Sequence, residues 1–202
     1  MRARPLLLGC VLLAALRPGL ARAQDKDWPC VQRLVPQLEA GQMWSGPPLD
    51  GAPEGPVPRG VEPLAVELID PGVPQERVEA RVAAFATELP PEARAAGLTA
   101  LFRSSLERLN AERGHVIAGI KRYARRQQQL ADKIAGEIRE LEAVRKVPDA
   151  DQAKIDELQT ARDWDTRVYT DRQRQLGLVC DQPVRLERRA FALARIIQDH
   201  LP

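Results

Sequence analysis

The sequence predicts an all-α protein: an elongated antiparallel coiled-coil helical hairpin with short packing helices at its base. Three observations carry that prediction. Ile117, Ile120, Ala124, Gln127, Ala131, Ile134, Ile138 and Leu141 repeat at 3-4-3-4 spacing, the a/d seam of a coiled coil held for more than three heptads. Val147-Pro148-Asp149 then interrupts the pattern, and a second apolar row resumes beyond it. Composition agrees: Ala, Leu, Arg, Glu and Gln dominate, and the chain has only eight aromatic residues, as long helices do.

Residues 1–23 read as a signal peptide. Arg2 and Arg4 give a positive start, Leu6–Leu16 an apolar run, and Ala21-Arg22-Ala23 a small-x-small cleavage site, so the mature chain is expected to begin at Gln24. Arg17 and Pro18 cut the run short of the roughly 20 residues a membrane anchor needs. Leu7-Leu8-Gly9-Cys10 loosely matches a lipobox, but the apolar run continues past Cys10. The segment holds four arginines and no acid. Its removal takes the chain from +2 to −2, with 26 basic residues against 28 acidic. Global charge therefore gives no case for a nucleic-acid partner. No later stretch is apolar enough to span a bilayer, so no stable span is expected after cleavage. The expected location is the periplasm.

Cys30 and Cys180 remain after cleavage, and an even count in an exported chain favours a disulfide. Closing so long a loop is worth about 5 kcal/mol in the chain-entropy model. Free or intermolecular thiols are the alternative. A Cys-x-x-Cys redox pair is not formed.

Residues 24–46 form the N-terminal, disulfide-tethered segment. Asp27 is placed to cap a short helix with Pro29 in its first turn, and Val31, Leu34, Val35 and Leu38 mark its apolar face. Trp28 and Trp44 flank this element. They either plug it onto the helical body or form an aromatic contact surface for a partner. Residues 47–60 are a linker, with five prolines and three glycines in fourteen residues.

Residues 61–202 are the helical domain. Glu62–Ile69 is a short helix ended by Asp70-Pro71-Gly72, and Gln75–Leu89 is a second, opened by Pro74. Pro90-Pro91 starts the long helix, expected to run through Gly114 and Gly119 to about residue 146. The hairpin proper covers residues 113–179. Its second arm presents Ile155, Leu158, Ala161, Trp164, Val168 and Tyr169, ending in Leu176, Leu178 and Val179. Arg162, Asp165 and Arg172 fall on or beside its seam, opposite Gln127. A polar layer of that kind fixes helix register, or else forms a ligand site. Asp181 is placed to cap a separate last helix, Pro183–His200.

Catalytic and metal motifs are hard to find. His115 and His200 have no ligand-type residue at helical spacing, so no metal or cofactor is expected. There is no Gly-rich phosphate loop and no Gly-x-Ser-x-Gly. Glu137, Glu140 and Glu142 interleave with Arg139, Arg145 and Lys146 as a solvated helix face. Lys121, Arg122, Arg125 and Arg126 form the sharpest basic cluster, which suits a solvated flank or an acidic partner.

Asp27-Trp28-Pro29-Cys30-Val31-Gln32, followed by Met43-Trp44-Ser45-Gly46-Pro47, resembles the start of a group of small exported proteobacterial proteins. That resemblance covers about twenty residues; it implies a periplasmic home and no particular chemistry. Periplasmic helical-hairpin chaperones and metal-stress sensors carry Leu-Thr-x-x-Gln motifs. Here Leu98-Thr99-Ala100-Leu101 is followed by Phe102 instead of Gln. The function expected from the sequence is a non-enzymatic periplasmic interaction or scaffolding protein. Its contact residues would be Val147 and Pro148 at the tip, or Trp28 and Trp44, and its partner an envelope protein or a second copy in a homodimer. A periplasmic chaperone or envelope-stress sensor binding unfolded clients is the alternative.

Overall fold

The computed structural model describes residues 25–49 and 58–202. The expected signal peptide and most of the Pro/Gly-rich linker lie outside the described residues. Four α-helices account for the domain: α1 Val61–Ile69, α2 Gln75–Glu88, α3 Pro91–Arg145 and α4 Gln152–Gln198. Among the described residues there is no strand.

α3 begins where Pro91 occupies the first turn, with Glu92 beside the positive helix end. It then runs unbroken for 55 residues, or about 80 Å. The chain reverses over residues 146–151. Asp149 adopts φ 57°, a left-handed conformation that a short polar side chain tolerates. Asp151 starts α4, its carboxylate accepting from the Ala153 N–H at 2.9 Å.

Contacts between α3 and α4 pair Lys133 with Asp165, Gln127 with Tyr169, Tyr123 with Arg172 and Arg113 with Pro183. As the first number falls the second rises, so the helices run antiparallel. The main core lies at one end of this pair. There α1, α2, the start of α3 and the end of α4 bury Leu68, Val82, Leu101, Phe102, Leu193 and Ile197 together. Arg189 Nε donates to the Leu68 carbonyl at 2.7 Å, tying α4 to the end of α1. A second cluster gathers Trp28, Cys30, Ile117, Ile120 and Cys180; a third, near the turn, gathers Leu141, Ile155 and Leu158.

Three expectations need correction. No helix forms over residues 28–38; the segment is irregular up to a single 3-10 turn, Ala40–Gln42. Pro29 and Pro36 lack N–H donors, and polar side chains of α3 supply backbone partners instead, as described below. Val31, expected on an apolar face, is fully exposed.

No separate last helix begins at Pro183 either. α4 passes through this proline without stopping. An interior proline leaves the carbonyl four residues back, here that of Val179, without its N–H partner. Side chains bond the backbone around this point: Gln32 Nε2 donates to the Cys180 carbonyl, and Arg113 Nη1 to the carbonyl of Pro183 at 2.5 Å.

Finally, the middle of the second arm is turned differently. Trp164 is 64% exposed and Leu178 is exposed, whereas Arg162, Asp165 and Tyr169 are half-buried. On the facing arm, Ile138 is 41% exposed. The period of three and four is continuous through Ile155, Leu158, Arg162, Asp165 and Tyr169. The α3-facing stripe of α4 is therefore polar at its centre, and Trp164 falls beside it.

Candidate functional site

The residues expected to make contacts fall into two regions. The first is the seat of the N-terminal segment. Cys30 and Cys180 lie at disulfide-bonding distance, S–S 2.00 Å, as expected. Trp28 is buried beside them, and its Nε1 donates to the Gln32 carbonyl at 2.8 Å. Little of its ring is left for solvent. Trp44 is half-buried and stacks on Phe102 with centroids 4.4 Å apart; its Nε1 donates to the Pro47 carbonyl at 2.8 Å. Gly46 makes that pose possible, since a Cβ there would come within 2.5 Å of the Trp44 ring. Gln198 completes the attachment. Its Oε1 accepts from the Ser45 N–H at 2.6 Å, and its Nε2 donates to the Met43 carbonyl at 3.3 Å.

Between these anchors, α3 reads the backbone of the segment. Asn110 accepts from the Leu38 N–H at 2.8 Å and donates to the Leu38 carbonyl at 3.1 Å. Arg113 Nε donates to the Val35 carbonyl at 2.8 Å. The Arg113 side chain is 4% exposed. Burial pulls its guanidinium below the ordinary arginine range, and Glu187, 3.8 Å away, pulls the other way. Farther along, Lys121 meets Asp25 at 2.6 Å and Arg125 meets Asp27 at 2.9 Å. The Lys121 ammonium holds the Asp25 carboxyl below its ordinary value. Half of the basic cluster thus pairs with the segment's own acids, while Arg122 and Arg126 stay exposed.

The second region is the arm and its tip. Val147 is 57% exposed and Pro148 is exposed beside it. In mid-arm, Lys133 Nζ bridges Asp165 at 2.5 Å and Glu137 at 3.4 Å, and the Asp165 carboxylate raises the Lys133 pKa. Arg162 turns to Asp163 on its own helix at 2.6 Å, and exposed Arg172 offers its carbonyl to Tyr123. The three seam residues Arg162, Asp165 and Arg172 therefore do not converge on one site. Among the described residues no group of three His, Cys, Asp or Glu could hold a metal ion, and no helix is long and apolar enough to cross a membrane.

No family model, curated protein or solved structure matches the chain. Asn110, Arg113, Gln32 and Gln198 were not singled out in the sequence as functional, although one signal was present. Asn110 and Arg113 lie seven residues before Ile117 and Ile120, so polar residues continue the apolar register toward the N-terminus.

Proposed function

We propose that this is an exported, non-enzymatic interaction or scaffolding protein of the periplasm, working through a coiled-coil hairpin. The observation that carries the reading is the placement of the core. The largest cluster gathers α1, α2 and the far ends of α3 and α4, while the paired arms continue some thirty residues past the disulfide to an exposed turn at Val147 and Pro148. An arm of that reach adds surface with little added core, which suits contact with another protein. The heptad spacing from Ile117 to Leu141 supports the coiled-coil reading, and the polar positions Gln127, Arg162 and Asp165 suit register control. The signal-like residues 1–23 and the Cys30–Cys180 pair support export to an oxidising compartment.

A chaperone or envelope-stress sensor is the second reading, favoured by the exposed apolar side chains Ile138, Trp164 and Leu178 along the arm. One experiment separates the two. A photo-crosslinking residue is placed at Val147 in one strain and at Trp164 in another, and adducts are identified from intact cells. One or two defined envelope proteins, or a second copy, at Val147 would support the scaffold. A broad population of unfolded clients at Trp164 would support the chaperone, and adducts at neither position would remove both.

A further inference from the structure

α3 covers only one side of α4. On the outward side, Glu157, Trp164, Asp171, Leu178 and Arg185 follow one another at steps of seven residues, and all five are exposed. A seven-residue step keeps side chains on one slowly winding line, the line along which two helices pair. From Glu157 to Arg185 that line is about 42 Å long. Trp164 is 64% exposed and Leu178 69%, more than any other large apolar side chain in the described helices. Ala161 and Val168 lie along the edge of the stripe.

The order of the five residues is self-complementary. Turned end for end about Asp171, the stripe sets Trp164 against Leu178 of a second copy, and Leu178 against its Trp164. The same turn sets Glu157 against Arg185 at both ends. Two-fold pairing requires this correspondence, in which residue i meets j and j meets i. A parallel arrangement would instead oppose Glu157 to Glu157 and Arg185 to Arg185, and like charges so placed repel. The carboxylates that meet at the axis are those of Asp171. Arg174 neutralises each from its own chain at 3.1 Å, and exposed Arg167, four residues before Asp171, adds a second cation beside them. Glu157 meets Lys154 on its own helix at 3.1 Å, but that pair is open to water and holds weakly. Within the hairpin, α3 and α4 already pair antiparallel in this way, with Gln127 opposite Tyr169.

We propose that two copies of the chain associate along this outward stripe of α4, antiparallel and two-fold symmetric about Asp171, burying Trp164 of each copy against Leu178 of the other. The occupant is a second copy because the acid at one end of the stripe and the base at the other complement the stripe's own reversal. The proposal rests on the interaction reading above but fails separately from it: an envelope-protein adduct at Val147 from a chain that stays monomeric would overturn this proposal alone.

The test is sedimentation equilibrium of the full mature chain, disulfide intact, between about 1 and 300 μM. The mass should double with a Kd on the order of 10 μM, as suits a narrow interface. Trp164→Ala should weaken association at least about tenfold, as loss of an aromatic anchor does. Glu157→Arg and Arg185→Glu should each weaken it about tenfold, because each sets like charges together at both ends. All three side chains are exposed, so the far-UV circular dichroism of the variants should match wild type. Mixed in equal amounts, Glu157→Arg and Arg185→Glu restore opposite charges at both ends and should form a mixed dimer as tightly as wild type. A wild-type chain still monomeric at the highest concentration would overturn the proposal. So would dimerisation unaffected by Trp164→Ala. A mixture of the two charge variants no tighter than either alone would also overturn it, by placing the contact on another face or in another direction.

Discussion

The buried guanidinium of Arg113 donates to the carbonyl of Pro183 at 2.5 Å, and through its Nε to that of Val35. One side chain on α3 thus supports the interior proline of α4 and the irregular segment together. Replacing it with methionine keeps most of the volume but strands the Val35 carbonyl and removes the second donor to that of Pro183. The expected loss is about 2–4 kcal/mol, measured by urea unfolding. Lysine, whose donors all sit on one ammonium and not along a planar fork, should recover only part of it. A loss below about 1 kcal/mol for Arg113→Met would show that water reaches these carbonyls.

Changing Cys30 and Cys180 together to serine should lower stability by up to about 5 kcal/mol. Far-UV circular dichroism should hardly change, because residues 28–39 contain no helix to lose. Limited proteolysis should then cut within residues 25–49 while the α3/α4 pair stays intact. Loss of α3 and α4 signal in the folded baseline would show instead that the segment is needed to form them.

Leu141 is buried against Ile155 and Leu158 near the turn, whereas Ile138, three residues earlier, is 41% exposed. Leu141→Ala should therefore cost about 2–4 kcal/mol and Ile138→Ala under about 1 kcal/mol. Equal costs in thermal unfolding would mean that Ile138 is covered in solution, as association of two arms would cover it.

Gly46→Ala places a methyl group against the Trp44 ring. The ring is rigid and Phe102 lies behind it, so the 43–49 turn must move. A loss of about 1–3 kcal/mol is expected, with a red shift of tryptophan emission. An unchanged spectrum would show that the turn yields without disturbing the stack.

The carboxyls of Asp25, Glu62 and Glu67 lie below their ordinary values of 3.8, 4.5 and 4.5, held down first by Lys121, Arg108 and Arg81 respectively. A depressed acid contributes stability above its ordinary value and loses it as pH falls through the lower, folded value. Stability should therefore decline with acid below about pH 4.5, and Lys121→Ala should flatten the part that Asp25 contributes. Lys133 has the opposite sign. Its raised pKa stabilises the fold below 10.5 and fades as pH rises through the folded value. Melting curves from pH 2 to 6, with and without Lys121→Ala, test the acid limb, and identical slopes would discard the Asp25 assignment.

Much of the helical layout was legible in the sequence because helix signals are local. Pro91, Asp151 and the period of Ile117 to Leu141 mark α3, α4 and the reversal between them from near neighbours alone. Local signals also misled. Asp27 and Pro29 look like a helix start, but Asn110 and Arg113, more than seventy residues away, bind that backbone in another shape. Pro183 looks like a first-turn residue, but Gln32 and Arg113 tend the carbonyls around it and the helix continues. Gln127 was visible only as a polar seam residue. That its Nε2 meets the Tyr169 carbonyl depends on where Tyr169 lies across the pair, which one-dimensional spacing does not give.

The clamp between residues 150 apart in sequence also decides how the molecule carries load. Pulled between Asp25 and Pro202, the chain can lengthen only outside Cys30 and Cys180, because tension passes through the sulfur bridge and bypasses everything between. Full extension of the two free tails gives roughly 90 Å. The turn at Val147 and Pro148 feels none of that force. Traction applied at the turn instead loads α3 and α4 side by side and in parallel, toward the disulfide and the core at the other end.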